Sequence, residues 1–181
     1  MTFGELLRRD VAASDQQIAK LEAHYELMLK WNRTINLTRV TEKASAVRKH
    51  YAESIFLAKH LPAGHFADIG SGAGFPGIPL AIVRPELSVT LVESDQRKAV
   101  FLREAAANLS NVNVLASRAE ALSAPFDGLI SRAVRPEEVA ALVPRLAPQA
   151  WMLLARGQQE WQEIEILPWD STSSVMFHVE H

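Results

Sequence analysis

Apolar residues in the first third of the chain recur three or four positions apart, the spacing of one face of an amphipathic helix. The first such face is formed by Ile18, Leu21, Tyr25, Met28 and Leu29. Ser14 followed by Gln17 resembles a capping box, so we expect a helix to begin there. A second helical stretch spans residues 42–60 and ends at a Pro-Ala-Gly run that breaks the pattern. The chain therefore begins with a predicted helical extension over residues 1–60.

Beyond that break, short apolar runs alternate with amphipathic segments. The apolar runs have the length of buried strands: HFADIG, LSVTLVES, NVNVLA, FDGLISRA, QAWMLLAR and, near the end, SSVMFHVEH. The segments between them have helical spacing: PLAIVRP, DQRKAVFLREAAANL and PEEVAALVPRL. Such alternation predicts βαβ units. We expect an open, mostly parallel α/β sheet with helices on both faces over residues 61–181, with the helical extension docked on it in one compact domain.

The composition is that of a globular protein and removes several chemistries. With 181 residues, 48% apolar and 22% charged, the chain fits one domain. Because it has no cysteine, disulfides, thiolate metal sites and a cysteine nucleophile are excluded. Its six histidines show no metal-ligand spacing, so no metal site is expected. No apolar run is long enough to span a bilayer and the first residues do not resemble a signal peptide. We expect a cytoplasmic protein, and nothing argues against a monomer.

The formal net charge of −2 conceals an uneven distribution. Residues 1–60 hold ten Lys and Arg against seven Asp and Glu, whereas the rest of the chain holds nine against fourteen. The positive excess is concentrated between Lys30 and His50, where six basic residues stand against Glu42 alone. Such a segment can bind a polyanion, but a solvated helical face gives the same pattern. Charge alone leaves both interpretations open.

A glycine-rich turn after the first predicted strand is the most informative segment. It has the form D-x-G-x-G-x-G, from Asp68 to Gly74, in the context where such turns hold nucleotide-like ligands. A dinucleotide fingerprint needs glycine where Phe75 stands, and a P-loop needs Lys and Ser or Thr after a glycine. Glu93 ends the next strand, about 20 residues further on, where a carboxylate can bind a ribose diol. The pattern resembles motif I of the class I S-adenosylmethionine-dependent methyltransferases.

Six stretches of the chain are specific in combination. They are N-L-T (36–38), H-Y-A-E-S (50–54), D-I-G-S-G-A-G-F-P-G-I-P-L-A-I-V-R-P (68–85), S-R-A-E (117–120), F-D-G-L-I-S-R-A (126–133) and A-R-G (155–157). Together they resemble the RsmG family, also called glucose-inhibited division protein B, from about Leu21 to Gly157. The resemblance implies a Rossmann-like class I methyltransferase that uses S-adenosyl-L-methionine. Its expected reaction is methylation of N(7) of a guanine in the 530 loop of 16S ribosomal RNA, and its expected partner is that RNA or the small subunit particle.

The resemblance, with the loop pattern, also indicates site residues. Contacts to the cofactor are expected from Gly70, Gly72, Phe75, Glu93, Ala119, Glu120 and Arg132. Of these, Ala119 and Glu120 would face the adenine, although Glu120 also suits a solvated helix start and Phe75 also suits the core. Contacts to the substrate are expected from His50, Arg135 and Arg156. The chain departs from the family pattern in three places: Glu93 stands where Asp is frequent, Arg156 replaces a common Lys, and the C-terminal part is short and lacks basic residues.

The residues also limit the methyl acceptor. Methylation of a pyrimidine ring carbon normally needs a cysteine adduct, and methylation of an exocyclic amine usually accompanies an Asn/Asp-Pro-Pro-aromatic loop; the chain has neither. Guanine N(7) carries an available lone pair and no proton, so no general base is required and we assign no catalytic residue. Two alternatives remain: an NAD-dependent oxidoreductase, and a non-catalytic module that binds the cofactor and rRNA.

Overall fold

The computed structural model describes residues 1–123 and 125–179, and the predicted helical extension is present, with turns and loops between its helices. They form α1 (Phe3–Leu7), α2 (Asp15–Trp31), α3 (Lys43–Ala46), a π-helical turn (Val47–Ala52) and α4 (Glu53–Ala58). The predicted capping box begins α2, because Ser14 Oγ accepts from Gln17 N–H at 3.2 Å and Gln17 Oε1 accepts from Ser14 N–H at 2.9 Å. Helix α1, which we did not predict, uses the same device with Thr2 and Glu5. None of the described helices is long and apolar enough to cross a bilayer.

Seven strands among the described residues form one sheet, which confirms the mostly parallel α/β prediction. They are β1 (His65–Ile69), β2 (Ser88–Val92), β3 (Val112–Leu115), β4 (Gly128–Ser131), β5 (Gln149–Ala155), β6 (Gln162–Leu167) and β7 (Asp170–Val179). The strand order is β3-β2-β1-β4-β5-β7-β6. Strands β1 to β5 are parallel, and β7 is antiparallel to both β5 and β6. The connecting helices are α5 (Gly77–Val83), α6 (Gln96–Ala105) and α7 (Pro136–Leu142).

The C-terminal end of the sheet differs from the sequence prediction. We expected one strand in SSVMFHVEH, whereas β7 already begins at Asp170 and pairs with a second strand, β6. Residues 163–166 alternate polar and apolar side chains, which is a strand pattern that we did not assign. In the fold Ile164 and Ile166 are exposed, at 42% and 37%, on the edge strand. The last two residues of the predicted strand lie outside the described residues.

Apolar side chains fill both faces of the sheet. Along β1 they alternate, since Phe66 joins one core cluster and Ala67 joins the other. The Phe66 side packs against the N-terminal helices, α5 and α6, and the Ala67 side packs against α7. Because Phe3 and Leu21 belong to the same cluster as Phe66, the helical extension shares a hydrophobic core with the sheet. This shared core places α2 and the π-helical turn directly behind the turn that follows β1.

Candidate functional site

The glycine loop, residues 70–76, connects β1 to α5 at the carboxyl edge of the sheet. Gly70, Gly72 and Gly74 have φ angles of 69°, 55° and 93°, in the left-handed region that glycine adopts without strain. The amides of Gly70 and Ser71 both donate to the Val92 carbonyl at the end of β2, at 3.0 and 3.1 Å. The loop therefore folds over the end of β2 and offers bare backbone to a ligand at this edge.

Glu93 holds the same loop from its position immediately after β2. Its Oε2 accepts from Gly72 N–H at 2.8 Å, and its Oε1 accepts from Asp95 N–H at 2.9 Å. The side chain is only 8% exposed, yet each carboxylate oxygen keeps acceptor capacity for another donor. Glu93 thus lies where the sequence predicted a ribose-binding carboxylate. The structure adds a contact that the sequence did not indicate, since Glu93 also fixes the loop.

A cleft of about 140 Å³ opens beside the loop. It lies where the sheet order reverses around β1 and β4, the position at which open α/β sheets bind ligands. Its lining combines apolar with polar side chains: Ile69, Val92, Ala119 and Val134, then Ser94, Ser117, Arg118, Glu120 and Glu138. A Cβ added to Gly70 would lie 2.6 Å from Val134 Cγ2, so only glycine fits there. Apolar walls beside the Glu93 carboxylate suit a flat nucleoside with ribose hydroxyls.

Asp68, the first residue of the motif, is completely buried beneath the loop. Its Oδ2 accepts from the amide of Gly77, the first residue of α5, at 3.0 Å, and its Oδ1 has no partner among the described residues. Burial raises the pKa of Asp68 to about 8, so the carboxyl carries a proton near neutrality. A dinucleotide would place its pyrophosphate at the start of this helix. Since that donor is already occupied, the arrangement argues against a pyridine dinucleotide.

Histidine and aromatic side chains fill the space behind the loop. The Phe75 ring stacks on the His50 imidazole, with centroids 4.6 Å apart, and meets the Tyr51 ring edge-on at 5.0 Å. His24 Nδ1 accepts from the Tyr51 hydroxyl at 2.8 Å, and its Nε2–H donates to the Ala73 carbonyl at 3.0 Å; a carbonyl only accepts, which sets this tautomer. Burial lowers the pKa of His24 to about 4. A neutral histidine of α2 therefore anchors the loop.

Arg132 follows β4 and contacts the N-terminal helices. Its Nη2 donates to Glu53 Oε2 at 3.1 Å, and its Nη1 donates to His50 Nδ1. His50 Nε2–H in turn donates to Thr38 Oγ1 at 2.9 Å. Burial, followed by the charge of Arg132, lowers the pKa of His50 to about 3, and burial raises the pKa of Glu53. The four side chains form a hydrogen-bonded chain with a neutral histidine inside it.

Two further arginines, Arg135 and Arg156, were predicted to contact the substrate, and both lie at the same edge of the sheet as Arg132. Arg135 precedes α7 and donates from Nε to Glu138 Oε1 at 2.7 Å. Arg156 follows β5 and donates from Nε to Glu163 Oε2 at 2.8 Å. Exposed ion pairs of this kind are weak, so an incoming phosphate can replace either carboxylate. Their contact with substrate stays a prediction.

The structure brings three of the seven predicted cofactor residues to one cleft, since Gly70, Ala119 and Glu120 line it. Glu93 stands in the chain between two further lining residues, Val92 and Ser94, and accepts a hydrogen bond from Gly72. Phe75 has a different position, because its ring is buried at 6% exposure in the core behind the loop. If Phe75 contacts the cofactor, the contact is therefore made by its backbone and not by its ring.

His50 also differs from its expected position. It is 7% exposed with both ring nitrogens engaged, so its ring is not presented to a substrate in this structure. Thr38 and Glu53, its partners in the chain to Arg132, were not predicted as site residues. Glu53 belongs to the H-Y-A-E-S stretch, so the family resemblance could have indicated it as a site residue. His24 gave a weaker indication, because it is a histidine on the apolar face of α2.

Residues 17–180 match the family model for GidB, described as rRNA small subunit methyltransferase G. The ribosomal RNA small subunit methyltransferase G of Halorhodospira halophila is 39% identical over 158 residues, which are 83% of this chain and 75% of that protein. The enzyme of the same name from Methylobacillus flagellatus is 41% identical over 153 residues, 80% of this chain and 74% of that protein.

Solved structures share the fold at low sequence identity. The magnesium protoporphyrin IX methyltransferase of Synechocystis, solved with bound S-adenosylmethionine, aligns with a TM-score of 0.59 and 16% identity over 94% of this chain and 99% of that one. An RNA methyltransferase of uncertain assignment from Pyrococcus horikoshii aligns with a TM-score of 0.56 and 12% identity, over 87% of this chain and 96% of that one. At such identity the likeness concerns the fold alone.

Proposed function

The chain belongs to the rRNA small subunit methyltransferase G family, and on that premise we propose that it methylates N(7) of a guanine in the 530 loop of 16S rRNA. The observation that carries the proposal is the family match over residues 17–180. The protein is an S-adenosylmethionine-dependent methyltransferase of small-subunit rRNA. The acceptor atom and its place in the RNA are the finer part of the proposal.

The cleft beside the glycine loop supplies the groups that a nucleoside methyl donor needs. Glu93 keeps acceptor capacity for ribose hydroxyls while it holds Gly72. Ala119 and Glu120, in a 3₁₀ turn after β3, provide the wall on which an adenine would lie. When bound, the donor supplies a methyl group on a positively charged sulfur. The residues of the chain bind and orient it, and alignment of this kind can contribute about 7–11 kcal/mol to lowering a barrier.

Methyl transfer to N(7) fits the groups present at this edge. The N(7) lone pair forms the new N–C bond, the C–S bond breaks and its electron pair stays on sulfur, so no proton moves and no base is needed. Because the product guanine is cationic, uncompensated arginines beside it would be unfavourable. Arg132 is paired with Glu53 at 3.1 Å and Arg156 with Glu163 at 2.8 Å. Each of these two cations therefore has a carboxylate partner within the chain.

The RNA backbone is proposed to lie on the basic N-terminal segment. Its exposed cations form no ion pair among the described residues: Lys30, Arg33, Arg39, Lys43 and Lys49. Lys49 also lines a groove of about 310 Å³ with Arg9 and Arg48. The segment contains Thr38 and His50, which bond toward Arg132. Backbone phosphates on this surface would therefore lie close to the cleft.

The proposal is tested by methylation of small ribosomal subunits isolated from a strain that lacks the modification. The protein is incubated with S-adenosylmethionine carrying a labelled methyl group, and the RNA is then reduced with borohydride and cleaved with aniline, which cuts at N(7)-methylguanosine. We expect one cut in the 530 loop. Protein-free 16S rRNA, treated in parallel, tells whether the folded particle is required.

Three other results would contradict the proposal in distinguishable ways. Donor binding with no label in RNA would indicate the non-catalytic module. Label in RNA that survives aniline would move the acceptor to another atom. Turnover of a nicotinamide cofactor would revive the oxidoreductase.

A further inference from the structure

We propose that His50, in the π-helical turn, positions the Arg132 side chain for the methyl-donor site by accepting a hydrogen bond from it. The inference rests on the proposed function, because it concerns the same cleft. It gives His50 a part in the methyl-donor site in place of the substrate contact that the sequence suggested. It also makes the helical extension a part of the methyl-donor site.

The hydrogen bonds leave His50 one arrangement. Arginine has only N–H donors, so His50 Nδ1 must accept from Arg132 Nη1. The remaining ring nitrogen then carries the hydrogen and donates to Thr38 Oγ1 at 2.9 Å. That hydroxyl accepts here and lies next to the Val40 amide, which also donates to it at 3.1 Å. The His50 ring is thus oriented by Thr38 on one side and bonded to Arg132 on the other.

A protonated His50 would break this arrangement. Its Nδ1 would then face the Arg132 donor with a second donor, and two positive charges would be in contact. The surroundings hold the ring neutral, because it is buried and because Arg132, His24 and Lys49 are the charged or titratable groups that lower its pKa. Glu53 is the one acid bonded to Arg132 in this cluster. Its negative charge balances the guanidinium and leaves the histidine uncharged.

The position of Arg132 connects this cluster to the cleft. Ser131, the residue before it, is paired with Ile69 across β4 and β1, and Val134, two residues after it, lines the cleft beside Gly70. His50 itself stacks on Phe75 of the glycine loop, with centroids 4.6 Å apart. With Nη1 and Nη2 held by His50 and Glu53, the guanidinium keeps further N–H groups for the carboxylate at the amino-acid end of the donor.

One continuous helical stretch, part of it π-helical, supplies both contacts, because His50 and Glu53 are three positions apart. A π-helix adds a residue to a helical turn, which shifts the side chains that follow, and such turns are frequent at functional sites. Here the turn covers Val47–Ala52, so His50 lies within it and Glu53 comes directly after it. Both side chains reach Arg132 from consecutive turns.

The test compares two substitutions of nearly equal shape. His50→Asn keeps an acceptor close to the Nδ1 position, whereas His50→Leu removes it. We expect His50→Leu to weaken binding of S-adenosylmethionine and of its demethylated product by about tenfold or more in calorimetry, and His50→Asn to weaken it several-fold less. In an Arg132→Met background, His50→Leu should cause no further loss, because the bond it removes is already absent. Equal losses in the two His50 variants, or a full additional loss in the Arg132→Met background, would overturn the inference.

A second readout needs neither cofactor nor RNA. Nitrogen NMR of the histidines in the unliganded protein should show His50 with a bare Nδ1 and a protonated Nε2, unchanged between pH 5 and 8. In Arg132→Met the pKa of His50 should be higher than in the unsubstituted protein, since a positive neighbour is removed. A His50 that titrates near pH 6.5 in the unsubstituted protein contradicts the inference, whether or not the variants fold. Failure of the unsubstituted protein to bind the donor would instead contradict the proposed function. The NMR result would still report the bond between His50 and Arg132, because it is measured without donor.

Discussion

Single glycines decide how closely a ligand can approach the loop. A Cβ on Gly70 would collide with Val134 at 2.6 Å, whereas a Cβ on Gly72 would have only the Gly70 carbonyl near it among the described residues, at 3.9 Å. The open side of Gly72 is therefore the space that a cofactor would use. Gly157 offers a matched case outside the loop, because it also has a positive φ and no atom of residues 1–123 or 125–179 lies within 4 Å of its added Cβ.

We expect Gly72→Ala and Gly157→Ala to cost about the same stability, roughly 1–2 kcal/mol for a left-handed alanine. Only Gly72→Ala should weaken donor binding, by about tenfold or more, because its methyl group enters the open space beside the loop. Calorimetry with S-adenosylmethionine and urea unfolding of both variants measure the two effects. Unchanged donor affinity in Gly72→Ala would mean that the ligand does not approach the loop there.

The buried carboxyl of Asp68 should be visible in the pH dependence of stability. Its pKa of about 8 in the folded protein lies far above the usual value near 4, so between those values the folded state holds a proton that the unfolded state releases. Stability from this group is therefore complete at low pH and is lost as pH rises toward 8. Asp68→Asn removes that loss, so its free energy of unfolding relative to the original protein should increase from pH 5 to pH 8. Parallel pH profiles in urea unfolding would contradict the assignment.

At the scale of elements, the loop is held by α2 and the π-helical turn as well as by its own strand and helix. His24, on α2, connects the π-helical turn to the loop, because it bonds the Tyr51 hydroxyl and the Ala73 carbonyl. Because His24 makes two hydrogen bonds, substitutions that remove one or both of them should destabilise the protein to different extents. His24→Gln keeps a donor at the reach of Nε2, Tyr51→Phe removes one partner, and His24→Leu leaves two buried polar groups unpaired.

We expect His24→Leu to lower the free energy of unfolding by about 2–6 kcal/mol, since each of the two unpaired buried groups costs about 1–3 kcal/mol. His24→Gln and Tyr51→Phe should each cost clearly less. Urea unfolding at pH 7 ranks the three variants, and donor calorimetry tells whether the loosened loop binds more weakly. If His24→Leu were as stable as His24→Gln, the bond to Ala73 would contribute nothing to the anchoring of the loop.

At the scale of the whole molecule, charge is divided between two regions. The exposed cations of residues 30–49 belong to the segment whose Thr38 and His50 bond toward Arg132, whereas the later part of the chain carries a negative excess. Binding to RNA through this modest positive surface should be weak and strongly dependent on salt.

Substituting Arg33 and Arg39 with Gln should reduce the slope of log affinity against log salt by about 0.7–0.9 for each phosphate that the variant no longer neutralises. Lys59→Gln is the matched control, because Lys59 pairs with Glu165 near the amino end of β1, away from the cleft. Filter binding or anisotropy with a 530-loop RNA at several salt concentrations measures the slope. An equal reduction of the slope in the Lys59 variant would mean that RNA binding depends on the total charge of the protein and not on the basic N-terminal segment.

The sequence by itself determined the class of fold, the glycine loop and the carboxylate of Glu93. These follow from local patterns: alternating apolar runs, glycines where the backbone turns left-handed, and an acid at the end of a strand. The edge strand β6 also has such a pattern in its alternating Glu and Ile residues, but it is short and we assigned no strand to it; its pairing with β7 was seen only in the fold.

Only the tertiary structure decided what stands behind the loop. His24, Thr38, His50 and Glu53 are far from Ala73 and Arg132 along the chain, and no local pattern relates them. Burial then fixed their protonation, because an imidazole or carboxyl removed from water favours its neutral form. A histidine that looked like an RNA contact in the sequence became a buried acceptor, because three separate segments meet around it.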